Sequence, residues 1–256
     1  MGDHLAEQEH FEEAIKQYKQ AIDLDSQDAE GYIRLGDTYL AIGHEQQALQ
    51  AYRRALRMAP RYASSYLGLS DFLLHQGRFK AARIALQQAV ECEPDHAYYH
   101  YRLAWLYFNL GKTDLAQKSL RKAIELAPDD GFYHYKLGEV YFYQGDWSAA
   151  AAEYGIAVRC RPCDDFYHLR LASAYVRQQL YGEALAAFER TVQIDPHNPA
   201  YHYLLGEHLE LMGKSAQAQA HYRAAGKLGA YDRDCVRRVQ ERCGRLSVDA
   251  SSVPSA

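Results

Sequence analysis

Cys160 and Cys163 stand three residues apart, in the Cys-x-x-Cys arrangement that redox sites and zinc sites use. Zinc would need a second pair of ligands at suitable spacing, and neither Cys235 nor Cys243 belongs to a second close pair. Cys160 and Cys92 also occupy the same place in a recurring pattern, described below, where other copies carry Leu, Ile or Met. We therefore expect these two cysteines to fill the core as small apolar side chains.

Four histidines recur at a constant interval of 34 residues, which could suggest a chain of metal sites: His100, His134, His168 and His202. Packed helices lie about 8 to 10 Å apart, whereas the ligands of one ion lie within a few Å of one another. Tyr32 and Tyr66 hold the same place earlier in the chain, so we expect packed aromatic rings and no metal. The sequence also lacks a nucleophile–base pair, a phosphate loop or a carboxylate dyad without a packing explanation, so it predicts no cofactor and no enzymatic activity.

The composition narrows the class of protein further. The chain has 256 residues with 29 Lys and Arg against 33 Asp and Glu, so its net charge of −4 disfavours bulk nucleic acid or an anionic membrane as a partner. No apolar run approaches the length of a membrane span, and the first residues do not form a signal peptide. Five cysteines, an odd number, favour a reducing compartment. These features predict a cytoplasmic protein without membrane contact.

A period of 34 residues organises the whole chain. Seven alanines keep this spacing: Ala14, Ala48, Ala82, Ala116, Ala150, Ala184 and Ala218. With this alanine numbered as position 20 of each repeat, position 32 is a proline in the five copies from Pro60 to Pro196, where it closes a second helix. Position 15 is a glycine in five copies, where it ends a first helix in the left-handed conformation. Gln179 is an exception at position 15. Each repeat is therefore predicted to be a helical hairpin that buries its apolar face only by stacking on its neighbours.

The repeat resembles the tetratricopeptide repeat. The copy that begins at residue 29 carries the matching residues Leu35, Gly36, Tyr39, Gly43, Ala48, Tyr52, Ala55 and Pro60. The resemblance implies an all-α protein, a right-handed superhelical α-solenoid of 34-residue hairpins whose first helices line a concave groove for partner proteins or peptides. We expect an incomplete first repeat at 1–28, six full repeats at 29–230, a C-terminal capping helix at 231–246 and a disordered tail at 247–256.

The groove should be lined by positions 2, 5, 6, 9, 12 and 13 of the first helices, which we call the groove positions. Aromatic residues concentrate there in the middle of the chain, and exposed aromatic patches commonly mark interaction sites. Position 6 adds a row of basic residues, beginning with Arg34. The predicted ligand-binding residues are Tyr98, Tyr101, Arg102, Trp105, Phe108, Phe132, Tyr135, Lys136, Phe142, Tyr143, Phe166, Arg170 and Arg177. The alternatives are that the rings pack between repeats and that the charges form a solvated row.

These residues predict a non-catalytic scaffold that binds an extended segment or helix of another protein carrying apolar anchors and acidic groups. One alternative is a self-assembling structural protein, a homo-oligomer that joins through the incomplete N-terminal repeat. A weaker alternative is a binder of single-stranded nucleic acid, suggested by rings interleaved with basic residues. The net charge argues against that last alternative.

Overall fold

The computed structural model describes residues 2–228, and this part of the chain contains α-helices and no strands. The predicted all-α solenoid of helical hairpins is confirmed. The predicted capping helix at 231–246 and the tail at 247–256 lie outside the described residues. The chain divides into two compact units, Met1–Pro128 and Asp129–Ala256, which we call unit 1 and unit 2.

Unit 1 contains four helical hairpins in its described part. The first hairpin has a short first helix, and the other three have a first helix of 13 residues and a second helix of 14 residues. The helices are α1 (Gly2–Glu7), α2 (Phe11–Leu24), α3 (Ala29–Ala41), α4 (Glu45–Met58), α5 (Ala63–His75), α6 (Phe79–Cys92), α7 (Ala97–Asn109) and α8 (Thr113–Leu126).

Unit 2 contains three hairpins in its described part. Carboxylate or amide side chains cap several of its helices: the side chains of Asp130, Asp146, Asp164 and Asn198 each accept a hydrogen bond from a backbone N–H of the first turn. The helices are α9 (Gly131–Gln144), α10 (Trp147–Cys160), α11 (Asp165–Arg177), α12 (Tyr181–Ile194), α13 (Pro199–Leu211) and α14 (Ser215–Leu228).

The turn inside each hairpin has the predicted left-handed residue at position 15. Gly145 has φ of 83° and Gly213 has φ of 74°, values that glycine adopts without steric cost. Gln179 takes the same conformation with φ of 61°, although its side chain disfavours it. The hairpin geometry is therefore kept even where the glycine is missing.

The core of each hairpin depends on small residues facing large ones. The alanine at position 20 is fully buried in all seven copies. Where position 24 is tyrosine, position 8 is glycine, because the tyrosine ring lies too close to the first helix for a Cβ atom at position 8. A Cβ atom added at Gly138 would lie 2.6 Å from Cε1 of Tyr154. Where position 24 is leucine or phenylalanine, position 8 is serine or alanine, as in the pair of Ala172 and Phe188. Position 8 therefore follows the size of the ring opposite it.

In the described part of the chain, the helices fall short of the length and apolar character that a membrane crossing requires.

Candidate binding groove

The groove positions of unit 1 combine exposed rings with paired charges. Tyr98 and Trp105 on α7 are 38% and 40% exposed, whereas Tyr101 and Phe108 are half-buried. The ring centroids of Tyr98 and Tyr101 are 5.8 Å apart, and the Arg102 guanidinium lies 5.7 Å from the Tyr98 centroid. The structure thus gathers four predicted aromatic residues and one predicted cation along one helix.

The groove positions of unit 2 carry the larger set of rings. Tyr143 is 71% exposed and Phe166 is 43% exposed, while Phe132 and Phe142 are half-buried. Phe142 contacts the edge of Trp147, with ring centroids 4.8 Å apart. An alanine at Phe142 would therefore disturb packing as well as the groove surface.

Tyr135 differs from the other predicted ligand-binding residues because it is only 8% exposed. Its ring lies 5.5 Å from that of Tyr167, 5.4 Å from that of Phe166 and 6.1 Å from that of Tyr154, measured between centroids. Burial raises the pKa of Tyr135 to about 12. Its placement on the open surface of the groove is corrected: it packs between neighbouring repeats, as the alternative interpretation of the tyrosines anticipated.

The basic row at position 6 is largely neutralised by carboxylates at other groove positions. In unit 1, Arg102 forms an ion pair with Asp71, and Arg34 Nε lies 2.8 Å from Glu30 Oε1. In unit 2, Arg170 forms an ion pair with Glu139. The basic row is therefore built mainly into contacts within the protein, which the sequence pattern alone did not predict.

Buried tyrosines of the second helices donate hydrogen bonds to acids at position 9 of the groove. The hydroxyl of Tyr154 donates to Glu139 Oε1 over 2.6 Å, and that of Tyr52 donates to Asp37 Oδ1 over 2.7 Å. Burial and the hydrogen bond to Glu139 raise the pKa of Tyr154, so its hydroxyl keeps its proton and remains a donor. Each tyrosine reaches from position 24 in the core to an acid at position 9 in the groove.

Two cations of unit 2 have no such partner in the described part of the chain. Lys136 and Arg177 have no carboxylate within 4.0 Å there. The Lys136 ammonium lies 5.3 Å and 4.7 Å from the centroids of Phe132 and Tyr135, and desolvation lowers its pKa. The Arg177 guanidinium lies 4.4 Å from the centroid of Trp147. Both cations are held by aromatic rings and keep their charge available to an anionic group.

A cavity of about 310 Å³ opens among the groove positions of unit 2. Its apolar lining comes from α9, α11 and α13 and from one side chain of α12, and its polar lining includes Arg177 and Glu207. Phe142 and Arg177 of this cavity are among the predicted ligand-binding residues, whereas Ser173 and Val176 of α11 and the residues of α12 and α13 are not. Leu204 and Leu211 occupy groove positions 6 and 13 of the last described repeat, so the same register applied there would have found them. The lining residues are Phe142, Ser173, Val176, Arg177, Phe188, Leu204, Glu207, His208 and Leu211.

Three of the four recurring histidines donate a hydrogen bond to the protein backbone. The Nε2–H of His100, His168 and His202 donates to the carbonyl oxygen of the proline six residues earlier, over 2.7, 3.0 and 3.1 Å. A carbonyl oxygen only accepts, so the proton must be on Nε2. Tyr66 does the same with its hydroxyl, and His134 instead contacts Glu153 through Nδ1 over 2.8 Å. Among residues 2–228, no three His, Cys, Asp or Glu side chains come together as metal ligands would.

The cysteines of the Cys-x-x-Cys pair differ in exposure. Cys160 is half-buried and Cys163 is exposed. Cys92, at the same repeat position as Cys160, packs against a cluster that includes Ala63, Ala89 and Tyr99.

The fold and the repeat register define a tetratricopeptide repeat protein, and the family model of that repeat matches residues 169–233. The chain belongs to the family described as the C-terminal domain of cilia and flagella-associated protein 70, whose model matches residues 1–194. No curated protein matches the sequence.

Solved structures with the same fold have low sequence identity. The C-terminal part of a repeat-containing protein from Cytophaga hutchinsonii aligns with a TM-score of 0.74 at 16% identity, covering 92% of this chain and 97% of that one. PilF from Pseudomonas aeruginosa aligns with a TM-score of 0.65 at 18% identity, covering 85% and 99%. YrrB, described as having an unusual peptide-binding site, aligns with a TM-score of 0.55 at 20% identity, covering 70% and 92%. These similarities establish the fold.

Proposed function

We propose that the protein is a non-catalytic scaffold and that the groove positions of unit 2 bind a segment of a partner protein. The segment carries an apolar side chain that enters the 310 Å³ cavity and acidic groups that meet Lys136 and Arg177. Peptide binding by YrrB, a protein of the same fold, supports this class of function.

The cavity is the observation that carries the proposal. Binding pockets are typically concave and mostly apolar, with a few polar groups that orient the ligand. The side chains of Val176, Leu204 and Leu211 provide an apolar wall, and Leu211 is 59% exposed. An apolar side chain of a partner would bury this surface and exclude water from it.

The charges favour an acidic partner. Arg170 already has a carboxylate in Glu139, so it offers little to a ligand. Lys136 and Arg177 lack one in the described residues and are held in place by rings, which reduces the entropy lost when they bind an anion. Glu207 lies on the cavity lining and disfavours an acidic group placed directly inside. The acids of the partner should therefore flank its apolar anchor.

The expected affinity follows from these two kinds of contact. An apolar or aromatic anchor in a desolvated pocket contributes about 2 kcal/mol or more, whereas an exposed charge pair contributes about 1 kcal/mol or less. We therefore expect the anchor to dominate the affinity and the cations to determine its dependence on salt. We expect a dissociation constant near micromolar, which corresponds to a binding free energy of about 8 kcal/mol.

In unit 1, the exposed and half-buried rings at the groove positions of α7 form a second candidate surface, which we propose as a separate contact region. It comprises Tyr98, Tyr101, Arg102, Trp105 and Phe108. Because Arg102 is already paired with Asp71, this surface should bind through its rings.

A randomised peptide library selected on the full chain tests the proposal for unit 2. The enriched peptides should combine a large apolar residue with flanking Asp or Glu. Leu211→Glu should weaken binding of a selected peptide by about tenfold or more, because it places a charge on the cavity wall. Leu115→Glu on α8 is the matched control, since Leu115 is 42% exposed and does not line the cavity.

Peptides without an apolar anchor would contradict the proposal, as would equal binding by the two variants. Light scattering at several protein concentrations measures the competing self-assembly, which would appear as a size that grows with concentration and without peptide.

A further inference from the structure

Unit 1 contains a second cavity, of about 450 Å³, between α3 and α4. Tyr32, Leu35 and Tyr39 form the part of its lining that α3 supplies. These residues are three and four positions apart and share one face of the helix, whereas Arg34 and Asp37 in the groove lie on the opposite face. The cavity is therefore separate from the groove. From α4 it is lined by three arginines, Arg53, Arg54 and Arg57, and we call it the arginine cavity.

The arginines of the arginine cavity lie in a stretch of sequence without acids and form no ion pair in the described residues. Between Gln46 and Ser70 the sequence contains four arginines and no Asp or Glu. Within residues 2–228, Arg53, Arg54 and Arg57 have no carboxylate within 4.0 Å. This contrasts with the groove, where the arginines of position 6 are paired.

The other repeats show that packing does not require these arginines. Arg53, Arg54 and Arg57 occupy positions 25, 26 and 29 of their repeat. In the α7–α8 hairpin these positions carry Arg121, Lys122 and Glu125, and the Lys122 ammonium lies 3.0 Å from a Glu125 carboxylate oxygen. In the α5–α6 hairpin they carry Gln87, Gln88 and Glu91. The α3–α4 hairpin alone places three like charges at these positions within the described residues, at a cost in repulsion that an anionic ligand would relieve.

An aromatic ring of the lining restrains one of the three arginines. The Arg54 guanidinium lies 5.6 Å from the centroid of the Tyr32 ring, which restrains it. Guanidinium groups bind carboxylates through two parallel hydrogen bonds, and Gln47 and Gln50 supply neutral amide donors on the same wall. The volume is within the range of ligand-binding pockets and accommodates several side-chain carboxylates.

We infer that the arginine cavity binds an Asp- or Glu-rich segment of a partner protein. Nucleic acid fits less well, because each ring of the cavity already carries a cation: Arg54 lies over Tyr32, and the Lys19 ammonium lies 5.7 Å from the centroid of Tyr39. Stacking of a base would compete with both contacts. The acidic net charge of the whole chain also opposes a long polyanion more than a short peptide.

A fluorescein-labelled hexaglutamate peptide, titrated with the full chain and followed by anisotropy, tests this inference. Arg53→Gln combined with Arg57→Gln should raise the dissociation constant by at least about fivefold and reduce its dependence on salt. Arg121→Gln combined with Lys122→Gln removes the same charge from the equivalent helix of another repeat and should change the dissociation constant by less than about twofold.

Circular dichroism of both double variants should match that of the original chain, since all four side chains lie on helix surfaces. Equal loss of binding in the two variants would overturn the inference, because binding would then depend only on net charge. Tighter binding of oligothymidylate, or of phosphatidylserine vesicles, than of hexaglutamate by the original chain would also overturn it. Because the cavity is separate from the groove, Leu211→Glu should leave hexaglutamate binding unchanged.

Discussion

The α9–α10 and α11–α12 hairpins are neighbours in unit 2 and differ in how the second helix meets the groove. In the first hairpin, the Tyr154 ring packs against Gly138 and its hydroxyl donates to Glu139. Glu139 is therefore hydrogen-bonded at its place in the groove. In the second, position 24 is Phe188 and position 9 is Ser173. Both line the 310 Å³ cavity. In the first hairpin, Tyr154 and Glu139 thus occupy this part of the groove with a hydrogen-bonded pair. In the second hairpin, Phe188 and Ser173 leave a cavity there.

The largest expected effect concerns the tyrosine itself. Tyr154→Leu removes a fully buried ring together with its hydrogen bond to Glu139, and should lower the free energy of unfolding by about 3 kcal/mol. Urea unfolding of the full chain measures it. Phe188→Leu is the matched change in the next hairpin and should cost about 1 kcal/mol, since no hydrogen bond is lost.

The close contact of Gly138 sharpens this test. Gly138→Ala alone should cost about 2 kcal/mol by overpacking against Tyr154. Combined with Tyr154→Leu it should cost much less than the sum, because alanine faces leucine at these positions in the α7–α8 hairpin. Strictly additive free energies would show that position 8 does not depend on position 24.

The second prediction converts the open hairpin into the filled kind. Ala172→Gly, Ser173→Glu and Phe188→Tyr together introduce the glycine, acid and tyrosine found in the α9–α10 hairpin. The triple variant should bind a selected peptide about tenfold more weakly, a loss of about 1.4 kcal/mol, because the cavity is occupied from within. Fluorescence anisotropy measures the affinity. The double variant without Ser173→Glu should retain more of it, and unchanged binding by the triple variant would separate the cavity from function.

The third prediction compares the contacts at positions 4 and 23. In the α9–α10 hairpin they are His134 and Glu153, whereas in the α13–α14 hairpin they are His202 and His221, with their Nδ1 atoms 3.1 Å apart. Burial and the neighbouring His202 lower the pKa of His221 below its ordinary value of 6.5, and Glu189 opposes this shift only in part.

Because the folded pKa of His221 is lowered, the unfolded chain binds more protons as the pH falls. The contribution to stability should be complete above about pH 6.5 and decline below it. His221→Glu reproduces the His–Glu contact of the other hairpin and should reduce the loss of melting temperature between neutral and mildly acidic pH. Thermal melts at several pH values test this, and identical pH profiles for the two proteins would contradict it.

The smallest expected effect concerns the turn between α11 and α12. Gln179→Gly should stabilise the chain by about 1 kcal/mol or less, because glycine adopts the left-handed conformation without strain. Gly213→Gln is the reverse change in the next hairpin and should destabilise it by a similar amount. Urea unfolding measures both, and a loss of stability in the first variant would mean that the glutamine side chain makes a compensating contact.

The sequence predicted the helices and turns because their determinants are local. The alanine at position 20 and the glycine at position 15 each report on one close contact or one backbone conformation. The side chains of the groove depend on reach as well as direction. Tyr135 has the direction of a groove residue and is buried by rings of α11, the first helix of the next repeat, and Arg170 forms an ion pair with Glu139, which lies 31 residues earlier. Helical periodicity determines neither outcome.

The cavity was missed for a related reason. The cavity is present where Ser173 has a small side chain and Phe188 lacks a hydroxyl group, whereas a sequence pattern indicates a site mainly through large aromatic and charged residues. Its signal was the loss of the Gly–Tyr pair in one repeat between two repeats that keep it, Gly138 with Tyr154 and Gly206 with Tyr222. Comparison of repeats within one chain could have revealed that pattern.

Glu139 accepts a hydrogen bond from Tyr154 within its own hairpin and pairs with Arg170 of the next hairpin, whose Nη2 also lies 3.3 Å from the Tyr154 hydroxyl. If the α9–α10 hairpin opens, the half-buried Arg170 loses both its carboxylate and its hydroxyl neighbour, and α11 is destabilised with it. Helices α9, α10 and α11 should therefore open as one cooperative element. In amide hydrogen exchange, α9, α10 and α11 would share a common protection, rather than fraying one repeat at a time as independent stacked hairpins would.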